Sequence, residues 1–238
     1  MVFLQIILYF FLYCINKSLQ SKILGSNFYL RDTWRVAQDL LGYKLVRVIT
    51  KNNKKIKLSG TIVETEAYGF ENDQASHAFK GMTKRNQTMF GPVGRSYIYF
   101  IYGNHFCFNI TARSPKDMAG AVLIRALEPL EGIQFMKQHR NVYDDLNSLT
   151  NGPGKIAKAL SIDKHHNDYI LTDINSEIYI EEGISPNLIL STKRIGIRKS
   201  IDEYWRFLMG SKKENIIYIN EFVSKRKENN HFQVCKIL

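Results

Sequence analysis

Glu64 and Glu66 stand two residues apart in a β-branched stretch, and Tyr68 follows two residues later. Carboxylates are suited to moving protons, and a tyrosine beside them offers both a flat face and a hydroxyl. Side chains alternate along an extended segment, so Ile62, Glu64, Glu66 and Tyr68 are expected on one face. Val63, Thr65 and Ala67 then share the other face, which suits a core. Glu64 reads as a solvated strand-face carboxylate. Glu66 lies nearer the strand end and the polar loop of Asp73, Gln74 and His77, where sites collect. A metal centre has little support. His77, His105 and Cys107 lack a recurrent ligand spacing, and His165 and His166 are an adjacent pair in a loop.

A second constellation follows in SYIYFIYGNHFCFN, which reads as two strands around a Gly103-Asn104 turn. Phe100, Phe106 and Phe108 read as core. Tyr102 sits beside the turn, where a hairpin tip protrudes. With Lys84, Arg85 and Arg95 nearby, it fits the aromatic wedge that minor-groove proteins push between base steps. The carboxylate strand, the lone histidine and the tyrosine-rich hairpin together suggest a pocket for a nucleobase.

The elements that must position these groups are short. Asp32 before Trp34, Val36, Leu40 and Leu41, with Gly42 closing, predicts a capped amphipathic helix. Tyr43 to Thr50 and Ile56 to Tyr68 predict strands joined by a turn at Lys51 to Lys55. Ser96 to Tyr102, Phe106 to Ala112 and Ala121 to Leu127 continue the sheet. Glu131 to Arg140 and, after Gly152-Pro153-Gly154, Lys155 to Leu160 predict helices. Tyr169 to Ile180 and Arg194 to Arg198 predict further strands. Hairpin-connected strands with few helices make an α+β single domain.

The chain has 238 residues, 45% of them hydrophobic and 12% aromatic, enough for one good core and too apolar for disorder. A net charge of +11 and a pI near 9.5 suit a polyanionic partner or, equally, a lysine-rich surface. Cys14, Cys107 and Cys235 form no C-x-x-C and suit a reducing compartment, with Cys107 a small buried hydrophobe. Val2 to Cys14 is almost wholly apolar yet shorter than a membrane span. No Lys or Arg precedes it and no small-x-small cleavage site follows, so residues 1–22 read as an unstructured leader or a misassigned start rather than an export signal. Residues 23–213 form the expected domain, and 214–238 a tail with a basic cluster at Lys225 to Lys227.

The ordered blocks VAQDLLG, IVETEAYG, HAFKGMTKRNQTMFGPVGRSYIYFIYG, FCFNI, AVLIRALEPLEG, GPGKIAKALSI, RIGI and WRF run from about Phe28 to Ser211. In this order they resemble the alkyladenine (3-methyladenine) DNA glycosylase family. The resemblance implies a curved, largely antiparallel sheet with a protruding hairpin, like the C-terminal domain of methionyl-tRNA formyltransferase. It implies a monofunctional enzyme, without cofactor or metal, that flips alkylated or deaminated purines out of duplex DNA and hydrolyses the N-glycosidic bond.

By the same resemblance Glu66 matches the general base, Arg125 a residue holding the attacking water, and Ile195 a position whose backbone carbonyl does likewise. Tyr68, His77 and Tyr99 match the pocket that holds the flipped base. Asn109 matches a residue rejecting the amino group of guanine, and Tyr102 the intercalating wedge. No stable membrane partner is implied; the expected protein is a monomer, cytoplasmic and at the bacterial nucleoid if the leader is not a signal.

If Tyr99 and Asn109 line one pocket, the hairpin has a three-residue loop or a bulge, with Tyr102 opposite Phe106 and Tyr99 opposite Asn109. The leader and most of the tail after Lys213 lack a family counterpart, and Asn104 and His105 replace tip residues that are often apolar or aromatic. The rival reading is a basic nucleic-acid-binding module of the same fold without catalysis.

Overall fold

The computed structural model describes residues 23–101, 103–213, 216–223 and 233–237. Its spine is the 15-residue strand β2 (Lys54–Tyr68). Strand β1 (Lys44–Lys51) enters it through Asn52 and Asn53, both at positive φ (50° and 57°), a turn conformation that asparagine tolerates and that matches the strand twist. β1 pairs with the first half of β2, from Lys51 opposite Lys54 to Lys44 opposite Thr61. Further along the same edge, β8 (Arg206–Lys213) lies opposite Glu64 to Glu66. β5 (Ala121–Glu131) covers the other edge.

The hairpin of β3 (Ser96–Ile101) and β4 (His105–Thr111) extends the sheet beyond β5. β6 (Ile178–Glu181) pairs with β1, β7 (Leu188–Thr192) and β9 (Ile216–Ile219) with β8, and β10 (Gln233–Ile237) with β7. Every pairing is antiparallel, and the helices are short, so the architecture is α+β as expected.

Helices α1 (Ser26–Tyr29), α2 (Thr33–Asp39), α3 (Ile133–Arg140) and α4 (Pro153–Ala159) contribute to the main core. Val36, Ala37, Met136, Ile156 and Ala157 pack there with Leu58, Ile62, Ala67 and Phe108. Gly42 closes the α2 segment at φ +87°, where a Cβ would overlap the Ile184 carbonyl oxygen. A second apolar cluster joins Val63, Ala126, Leu188, Leu190 and Leu208 to Phe222 and Val223 of the tail.

Several sequence expectations fail for physical reasons. Of Tyr169 to Ile180 only Ile178–Glu181 is a strand; the Asp173 side chain and carbonyl accept from Asn175 and Ser176 and turn the chain. Arg194 to Arg198 is irregular, with Gly196 at φ +75° and the Ile195 N–H committed to a side chain. Phe100 is 42% exposed and packs against Phe106 rather than entering the core. The leader and the wedge candidate Tyr102 lie outside the described residues. Among those described, no helix is long and apolar enough to cross a membrane.

Candidate active site

The register between β2 and β5 slips at the carboxylates. Ile62 faces Leu127, Glu64 faces Ala126 and Thr65 faces Ile124, so Val63 and Arg125 each fall between paired positions. Such bulges re-aim side chains. Ile62 therefore joins the main core with Ala67, and Thr65 donates to the Ala37 carbonyl at 2.7 Å, while Val63 enters the second cluster. Strict alternation would have put Ile62 on the face of Glu64 and Val63 with Thr65. The bulge separates them.

Glu64 is not solvated: it is fully buried and paired with two guanidiniums. Arg125 Nε donates to its Oε1 at 3.0 Å and Arg206 Nε to the same oxygen at 2.7 Å. Arg125 also reaches Glu66, donating from Nη1 to Oε2 at 3.1 Å. The Tyr68 hydroxyl donates to that Oε2 at 2.8 Å, and the Ile195 backbone N–H donates to Oε1 at 2.7 Å. Glu66 is itself fully buried, behind three groups that all line one cavity of about 460 Å³. Burial opposes the charge on Arg125, but Glu66 and Glu64 outweigh it and raise its pKa. Burial, and then the Glu66 charge, push Tyr68 well above the usual phenol range, which keeps it a donor.

The opposite wall is the hairpin. Its three-residue loop is 102–104, with Ile101 opposite His105, Tyr99 opposite Cys107 and Tyr97 opposite Asn109. The expected pairing of Tyr99 with Asn109 is thus off by two residues, because the loop sits one residue earlier than expected and each such step moves the cross-strand partner by two. A slip of two preserves the face, and Tyr97, Tyr99, Cys107 and Asn109 all line the cavity.

The Asn109 Nδ2 donates to the carbonyls of Tyr97 (2.9 Å) and Cys107 (3.3 Å), which only an NH₂ can serve. Oδ1 is left as the remaining polar atom of this amide. Burial pushes the Cys107 thiol up to about 11, so it stays protonated at neutral pH.

His77 stacks on Tyr99 with ring centroids 3.8 Å apart, and its Nδ1 lies 3.1 Å from the Tyr97 hydroxyl. Burial, and then the Arg85 charge, lower its pKa to about 4, so the imidazole is neutral at physiological pH. The Arg85 guanidinium lies 4.2 Å from the Tyr99 centroid and is tied to the Phe100 carbonyl.

The structure thus brings Glu66, Arg125, Ile195, Tyr68, His77, Tyr99 and Asn109 around one cavity. Sequence reasoning missed Arg206, Tyr97 and the buried pair Arg194–Asp73. Arg194 and Arg206 stand inside the blocks RIGI and WRF, which were the only signal for them. Among the described residues no group of His, Cys, Asp or Glu is placed to hold a metal ion.

Residues 27–213 match the family model described as methylpurine-DNA glycosylase. The chain belongs to the methylpurine-DNA glycosylase family. Among its relatives, a protein of Chlorobaculum tepidum is 44% identical over 195 residues, 80% of this chain and 89% of that one. One from Clostridium perfringens strain SM101 is 42% identical over 217 residues (85% and 99%). One from Carboxydothermus hydrogenoformans is 42% identical over 206 residues (86% and 100%). All three are named as 3-methyladenine DNA glycosylases. Membership makes this glycosylase a hydrolase of N-glycosyl bonds with DNA as its substrate.

Proposed function

We propose that this glycosylase removes 3-methyladenine and related alkylated or deaminated purines, hypoxanthine included, from duplex DNA, with Glu66 as the general base for an attacking water. The observation that carries the reading is the Glu66 carboxylate held by Ile195 N–H, Tyr68 and Arg125 directly behind an aromatic cavity. Oε1 accepts from Ile195 N–H and, as a carboxylate oxygen, has a second lone pair to offer to water. That water gives its proton to Glu66 and its oxygen to the anomeric carbon. The C–N bond breaks, and the base leaves with the electron pair. The Ile195 carbonyl and Arg125 would steady the water. The guanidinium is already fixed by two carboxylates.

The flipped base would lie between Tyr68 and the His77–Tyr99 pair, because those two rings are in direct stack and leave no gap between them. A methylated, cationic purine gains from tyrosine faces. It is also a good leaving group, whereas neutral hypoxanthine needs more help to depart. Asn109, which lines the cavity and is held in place by its bonds to the Tyr97 and Cys107 carbonyls, is the residue we assign to exclude the guanine amino group by its bulk. Tyr102 is the residue we assign to fill the vacated stack, in the manner of an intercalating wedge. Extrusion costs a few kcal/mol, least at damaged or mispaired bases.

The test is base release from duplexes methylated with dimethyl sulfate, and from duplexes carrying one hypoxanthine, by wild type and Glu66→Gln. Release by wild type and its loss in Glu66→Gln, with DNA binding retained, is expected. Equal release by both would remove Glu66 from the role of base.

A further inference from the structure

We propose that the buried ion pair Arg194–Asp73 is a latch that holds three walls of the catalytic pocket in register, which makes both residues positioning residues for the hydrolysis. The inference rests on the reading of Glu66 as the base. Arg194 and Asp73 have side chains 0% and 1% exposed, and the guanidinium grips the carboxylate with two bonds, of 2.6 and 2.8 Å. Each partner is anchored to a different segment. Asp73 accepts from the Gly69 and Ala75 N–H groups, which fixes the loop that runs from Tyr68 to His77. Arg194 donates to the Ala67 carbonyl at the end of β2 and to the Ser200 carbonyl at the far end of the loop that lines the cavity from Ile195 to Lys199.

A further bond ties the same two loops together: the Gln74 N–H donates to the Ser200 hydroxyl at 2.8 Å. Ile195, the very next residue after Arg194, delivers its N–H to Glu66. The Arg194 guanidinium also lies 4.8 Å from the Tyr68 ring centroid and 5.3 Å from that of Trp205. One ion pair therefore sets the tilt of the Tyr68 face, the place of His77 and the donor at Glu66 Oε1. A bidentate fork fixes direction as well as distance, which the point charge of a lysine does not.

The experiment compares Asp73→Asn, Arg194→Lys and the double variant Asp73→Asn with Arg194→Gln, which leaves no lone buried charge, alongside Glu66→Gln. Release of 3-methyladenine from dimethyl-sulfate-treated duplex is followed in single turnover at saturating enzyme, and Kd for the same duplex is measured separately. Misplacing a catalytic group by about 1 Å can slow the chemistry about 100-fold, and that is the expected loss in rate for each latch variant. Kd should change by no more than about threefold, since no DNA-facing charge is removed. Arg194→Lys should stay closer to the double variant than to wild type.

The double variant decides the matter if a single variant fails to fold. A double variant that melts cooperatively and releases base at the wild-type rate overturns the latch, and so does a loss confined to Kd. Release by Glu66→Gln at the wild-type rate would instead overturn the base assignment on which the latch depends.

Discussion

Glu64 offers the sharpest test of the packing behind the pocket. Its carboxylate accepts from Arg125 and Arg206, and the three side chains are only 0%, 7% and 2% exposed, so solvent screens little of the interaction. Glu64→Gln removes the charge and leaves Arg206 buried without that counter-charge. Breaking a buried pair from one side costs about 3–5 kcal/mol. For a protein of this size each kcal/mol moves Tm by about 2–4 °C, which gives a fall of about 6–20 °C. That is a large share of the ~5–15 kcal/mol by which domains are stable.

Thermal melts and urea unfolding of Glu64→Gln against wild type measure it. Asp202→Asn is the control: its partner Lys193 is 49% exposed and Asp202 92%, so the loss there should stay under about 1 kcal/mol. Glu64→Leu combined with Arg206→Met should recover much of the stability while Arg125 keeps Glu66. A Glu64→Gln protein melting within about 2 °C of wild type would refute the reasoning.

Three further outcomes follow from the geometry. Phe222 of the tail is 5% exposed against Val63, Ala126 and Leu208, so Phe222→Ala should destabilise by about 3 kcal/mol; a urea midpoint shift worth under about 1 kcal/mol would mean the tail does not pack there. His77 has a pKa of about 4 in the fold against an ordinary 6.5, so the unfolded chain takes the proton first as pH falls. Its contribution to stability is then full above pH 6.5 and lost toward pH 4. Because the residue is exposed toward the cavity, the direction is what counts: His77→Gln should flatten the fall in stability between pH 7 and 5, and parallel curves would contradict it. With a net charge of +11, duplex affinity should drop at least ~10-fold between 50 and 200 mM salt, read from the slope of log K against log salt; a flat slope would rule out phosphate-dominated binding.

Much of the fold was legible because its signals are local. Alternation marked β1 and β2, two adjacent asparagines marked their turn, and Pro153 marked the start of α4. The hairpin faces were legible too, since period-two patterning survives a slip of two residues, whereas the pairing itself is decided by where the loop closes. The ion pairs were not. Arg194 meets Asp73 across 121 positions and Arg206 meets Glu64 across 142, and no spacing rule links residues so far apart. Glu64 was misread for the same reason. Its partners come from β5 and β8, so the strand that carries it gave no hint that its charge was already balanced.

The bulge explains how two carboxylates and two arginines can be buried behind one pocket. A regular β2 would carry Ile62, Glu64 and Glu66 on one face, and that face would have to be apolar and ionic at once. Inserting Val63 lets the strand change faces: Ile62 stays with the helices, Val63 turns to the second cluster, and Glu64 and Glu66 point together toward Arg125. Arg125 is itself unmatched on β5 beside this bulge, so both strands yield at the same level and the guanidinium lands between the two carboxylates. The second cluster then follows as a necessity. Val63 turned away from the main core needs cover, and Phe222 and Val223 of the tail supply it together with Leu188, Leu190 and Leu208. The tail thus packs on the same sheet face as Glu64 and Glu66, since Glu64 lies directly opposite Ala126 and Leu208 of that cluster, which ties the stability of an element outside the family match to the geometry around Glu66.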